Sequence, residues 1–78
     1  MKAFDYTQTV KYEVARDLLN RRRALLSARL GRERNSEQPD AFIVDQIRAD
    51  MRAVAGLMRQ LDVCNEPALD VIILAHQQ

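Results

Sequence analysis

The residues best equipped for chemistry in this sequence are arginines. Arg21-Arg22-Arg23 stand in succession, and Lys11, Arg16, Arg29, Arg32 and Arg34 extend the basic run on either side. A guanidinium fork matches a carboxylate or a phosphate, so the run is a candidate anion or nucleic-acid surface. The candidates for outward contact are Arg21, Arg23, Arg32 and Arg34. Successive helical residues point about 100° apart, so the triplet cannot act from one face. Arg22, Arg29 and Lys11 instead fall within the apolar arc of their helix, where the stem can lie along apolar surface and the charged head reach outward.

An arginine inside an apolar arc calls for an acid from the facing element. If facing residues of the hairpin sum to about 72, Arg22 meets Asp50, the one acid within the arc of the second helix. The expectation is a partly buried ion pair close enough for a charge-assisted hydrogen bond, serving to fix register. In the rival reading, Arg22 and Asp50 line a polar pocket for an anionic ligand.

The nucleophiles and bases are sparse. Cys64 is the single cysteine and His76 the single histidine. No internal disulfide can form, and a Cys/His zinc site lacks ligands. Cys64 falls in a turn, and His76 lies near the end of the sequence, where chains fray. Ser27 and Ser36 have no nucleophile elbow or lysine motif around them. No catalytic residue, metal or cofactor is expected from these residues.

The elements that must position the arginines are helices. The first is predicted from about Thr7 to about Leu30, with Asp5 and Gln8 at capping-box spacing, Thr7 as the rival cap, and Gly31 as the stop. Phe4, Tyr12, Ala15, Leu18, Leu19, Leu25, Leu26 and Leu30 share one broad face, with Val14 at its edge. The segment from Arg32 to Pro39 is polar and reads as a loop, with Ser36 as the next cap and Pro39 tolerated in the first turn. The second helix is predicted from about Gln38 to about Asp62. Its stripe of Ile43, Ile47, Met51, Val54, Met58 and Leu61 repeats at spacings of three and four. Asn65-Glu66-Pro67 restarts the chain into a short third helix, with Leu69, Ile72 and Ile73 at its buried edge, although residues 67–75 also carry strand propensity. The expected core includes Leu19, Leu26, Ile43, Ile47, Val54 and Leu61.

Seventy-eight residues allow one domain, residues 1–78, with a small core. Two glycines, no tryptophan and four other aromatics oppose an all-β fold. The first six residues lack the apolar run of a signal peptide, and Val71 to Ala75 is far too short to cross a bilayer, so a cytoplasmic protein without membrane contact is expected. The net charge of +1 conceals an asymmetry: residues 1–35 hold nine basic and four acidic side chains, residues 36–78 three and seven. A hairpin lays the basic arm beside the acidic one.

The sequence thus predicts an all-α fold: a long antiparallel helical hairpin with a short C-terminal third helix. The apolar arc of the first helix spans well over 100°, more than one neighbour covers. A second copy could complete a four-helix core across a two-fold axis. The expected function is that of a small non-enzymatic interaction, adaptor or regulatory protein, acting through helix faces as a homodimer with another protein as partner. Two alternatives stand beside it: a nucleic-acid-binding regulator using the basic first helix, and a small helical enzyme binding an anionic substrate.

Overall fold

The computed structural model describes residues 6–77. They form α1 (Tyr6–Arg34), α2 (Ala41–Arg59) and α3 (Glu66–His76), with no strand among the described residues. The all-α expectation holds, and the apolar run Val71-Ile72-Ile73 is helical. Asn65 caps that helix by accepting a hydrogen bond from the Ala68 amide at 3.3 Å, and Pro67 sits in the first turn, where a missing N–H costs nothing.

The boundaries shift at four places. α1 is already helical at Tyr6, so Thr7 is not its cap, and Asp5 and Phe4 lie outside the described residues. α1 also runs through Gly31 to Arg34. No described glycine has positive φ, and the Asn35 amide donates to the Gly31 carbonyl at 3.1 Å, so Gly31 is an ordinary helical residue. Arg32 and Arg34 in the last turn favour this extension by facing the negative end of the helix dipole. Finally, the cap of α2 is Asp40, not Ser36. Asp40 Oδ1 accepts from the amides of Phe42 at 2.9 Å and Ile43 at 3.4 Å. Ser36 turns back to donate to the Glu33 carbonyl at 2.8 Å, and Pro39 precedes the cap rather than entering the helix. Glu33 Oε2 accepts from the Asp40 amide at 2.9 Å, which ties the end of α1 to the start of α2. α2 stops at Arg59, short of Asp62, because Asp62 Oδ1 accepts from the Cys64 amide at 2.9 Å in a turn of its own.

Both later helices pack on α1, and α2 and α3 have no close backbone approach to each other among the described residues. Lys11 meets the first turns of α3, and Ala75 and His76 at its end lie by Leu18, Arg21, Arg22 and Leu25. α3 therefore runs parallel to α1, giving an up-down-up order. At 1.5 Å per residue α1 is about 43 Å long and α3 about 16 Å, so α3 covers less than half of α1.

One core joins the three helices: Ala15, Leu19 and Leu26 from α1, Ile47 and Val54 from α2, Leu69 and Ile72 from α3. Tyr12, Leu19, Leu26 and Glu33 recur every seven residues and define the seam toward α2. Two core expectations fail. Ile43 is 36% exposed, since it stands in the first turn of α2 beyond the reach of α3. Leu61 is only half-buried because it lies past the end of α2.

Candidate functional site

The seven-residue repeat of α1 separates its flanks. Lys11, Leu18, Leu25 and Arg32 form one row, and Ala15, Arg22 and Arg29 form the next row inward toward the seam. α3 lies on this side. The matching wall of α2 is Leu57, Asp50 and Ile43, also seven apart. α3 packs on α1 over its proximal half and leaves this side of its distal half uncovered.

Lys11 holds α3 against the proximal half of α1. Its Nζ lies 2.6 Å from Glu66 Oε2 and 2.9 Å from Asp70 Oδ1. The hydrogen bond to Glu66, then that to Asp70, raises the Lys11 pKa above its ordinary value. Periodicity places Lys11 in the apolar arc of α1 but names no partner for it. Glu66 and Asp70, four apart at the start of α3, were the available signal.

At the end of α3 lies a cleft of about 400 Å³ lined by Leu18, Arg21, Arg22 and Leu25 of α1 and Ala75 and His76 of α3. His76 is half-buried and helical. Its Nδ1 lies 2.9 Å from the Ile72 carbonyl, an acceptor-only group, so Nδ1 carries the proton and Nε2 is left for other contacts. Arg21 and Arg22 line this cleft beside the last turn of α3, where a positive charge is favourable against the partial negative charge of the helix end.

Arg22 Nη2 stands 3.9 Å from Asp50 Oδ2, with the two side chains 43% and 49% exposed. The hairpin register brings the residues together, but beyond hydrogen-bonding distance and on a wet flank. The expected close, partly buried pair is therefore corrected to a loose ion pair on that flank. Hydration accounts for the difference: neither α2 nor the end of α3 closes over the two groups.

The four outward arginines do not share a site. Arg21 and Arg32 share one flank of α1, and Arg21 lines the cleft at the end of α3. Arg23 lies on the other flank and donates to Asn20 Oδ1 at 3.1 Å. Arg34 lines a separate cleft of about 450 Å³ with Ser27, Leu30, Gly31 and Asn35. Extension of α1 through Gly31 produces this division. Eleven residues make just over three whole turns, which aligns Arg21 with Arg32 and Arg23 with Arg34 on different sides.

The acids of the second half are largely engaged within the chain. Asp40 caps α2, Asp50 faces Arg22, Asp62 closes a turn, and Glu66 and Asp70 hold Lys11. Cys64 is exposed in the turn between α2 and α3. Among the described residues no group of three or more His, Cys, Asp or Glu side chains is placed to hold a metal ion, and no helix is long and apolar enough to cross a membrane. Comparison with family models, with curated proteins and with solved structures finds no match for this chain.

Proposed function

We propose that this chain is a small helical interaction protein that works through its helix faces and self-associates as a homodimer. The observation that carries the reading is the balance of its apolar side chains. Among the described residues seven hydrophobic side chains are buried, one of them only an alanine, while eight large hydrophobics remain exposed. A chain of this size with one small core gains most from a partner that covers such surface.

The exposed set divides along the rod. Val10 and Val14, four apart on α1, lie in the half where α3 packs, and α3 itself leaves Val71 and Leu74 67% and 77% exposed. This proximal region is the self-association surface. A two-fold contact would repeat it symmetrically, and a stable interface needs at least about 1,000 Å² in total. Pairing of a basic half with an acidic half across the dimer has less support, because the acids of the second half are already engaged. Apolar contact is therefore the expected driving force.

Sedimentation equilibrium over a wide concentration range, with melting followed in parallel, tests the reading. The expected result is a dimer whose melting temperature rises with concentration. Val14→Glu together with Leu74→Glu should give a folded monomer, since both positions are exposed. A wild-type chain that is monomeric at every concentration, with a fixed melting temperature, overturns the homodimer.

A further inference from the structure

We infer that the cleft at the end of α3 is a binding site for a small organic anion, a carboxylate or phosphate group on a short apolar body. None of the residues lining it belongs to the self-association surface of Val10, Val14, Val71 and Leu74.

The cleft sets apolar and cationic groups in a definite order. α1 supplies Leu18, Arg21, Arg22 and Leu25, and α3 supplies Ala75 and His76. At 100° per residue Leu18 and Leu25 lie within about 20° of each other around α1, with Arg22 about 40–60° to one side and Arg21 about 40–60° to the other. The two leucines therefore form a strip between two arginine stems. Leu18 is half-buried and Leu25 is 56% exposed, so the strip is reachable from solvent. Ala75 and His76 close the cleft on the α3 side. The His76 ring is held there by its Nδ1, 2.9 Å from the Ile72 carbonyl.

Charge balance selects the occupant. Two guanidinium groups line the cleft, and no Asp or Glu does. Asp50 approaches Arg22 only to 3.9 Å, beyond hydrogen-bonding distance, and so leaves the donors of that fork unsaturated. The end of α3 brings a partial negative charge of about half a unit against two full positive charges, so the cleft stays net cationic. A bare inorganic anion would satisfy the arginines and leave the leucine strip wet. A neutral apolar molecule would cover the strip and desolvate the guanidinium groups without a partner. An anionic head on an apolar body satisfies both. From Leu18 to Leu25 the strip runs about 11 Å at 1.5 Å per residue, which suits a short alkyl chain or a single ring.

The test uses the full chain without a histidine tag. His76 is its single histidine, so the imidazole signals in NMR spectra report this cleft and no other place. Hexanoate, hexyl phosphate, acetate, inorganic phosphate and hexylammonium are titrated at constant pH and ionic strength. Hexanoate or hexyl phosphate is expected to shift the His76 signals with saturation below about 10 mM. Each should bind about tenfold or more tightly than acetate or inorganic phosphate respectively, because several methylenes leave water. The stronger of the two hexyl anions names the preferred head group, and hexylammonium should give no saturable shift. Arg21→Gln with Arg22→Gln should weaken binding about tenfold or more. Leu25→Ser should bring hexanoate close to acetate. Arg29→Gln with Arg32→Gln, outside the lining, should leave binding near the wild-type value. All five side chains are exposed, so circular dichroism should report an unchanged fold. Absence of saturation by both hexyl anions up to about 10 mM overturns the inference. Equal binding of the short and long anions marks an adventitious ion only and also overturns it, as does equal loss in the two arginine pairs. Sedimentation of the same samples reports self-association separately, so failure of the cleft leaves the dimer reading intact.

Discussion

Replacing Gly31 with alanine distinguishes a helix that ends at Leu30 from one that continues to Arg34. If Gly31 were a left-handed cap, a Cβ would be strained there and alanine would destabilise the protein. In the structure Gly31 is helical, its carbonyl accepts from the Asn35 amide at 3.1 Å, and a Cβ at this position meets nothing within 4 Å. Alanine therefore adds no clash and removes backbone freedom from the unfolded chain. Inside a helix the exchange is worth about 0.8–1 kcal/mol, and the proximity of the helix end reduces this to about 0.5–1 kcal/mol. For a domain of this length each kcal/mol moves Tm by about 4–8 °C, so Gly31→Ala should melt about 2–8 °C higher. Circular dichroism melts and urea titrations at matched protein concentration give the sign directly. Gly56→Ala is a companion, because its Cβ would stand 3.9 Å from Arg59 Nη2, an ordinary contact. A fall in Tm for Gly31→Ala would refute the continuous helix, and with it the alignment of Arg32 and Arg34 on opposite flanks.

Asp50→Ala should cost less than about 1 kcal/mol in urea unfolding, and Arg22→Ala should add nearly independently, because the pair is loose and hydrated. A loss above about 2 kcal/mol would mean a buried pair after all. Lys11 gives a pH dependence. Its folded pKa is raised, so its contribution to docking α3 is complete below the ordinary lysine value of 10.5 and is lost as pH rises beyond that through the folded value. The stability difference between wild type and Lys11→Gln should therefore shrink as pH is raised past 10.5, and a difference that stays constant would rule out the triad with Glu66 and Asp70.

The three helices were legible because their causes are local. The three-and-four spacing of Ile43, Ile47, Met51, Val54 and Met58, and the Asn65 cap followed by Pro67, need no knowledge of the rest of the molecule. The approach of Arg22 to Asp50 followed from hairpin register alone. Three things depended on the assembled fold. The end of α1 was one, since Gly31 acts as a stop or a helical residue according to whether Glu33 and Asp40 join beyond it. The fate of the charges was another. The half-to-half asymmetry suggested exchange between copies, whereas docking of α3 brings Glu66 and Asp70 to Lys11, across 55 positions in the first case. The exposure of Leu25 and Ile43 was the third. Periodicity marks Leu25 and Ile43 as apolar positions, but their exposure follows from the length and direction of α3. Sequence periodicity fixes which residues share a face of one helix, and burial depends on how far the neighbouring helix extends along that face.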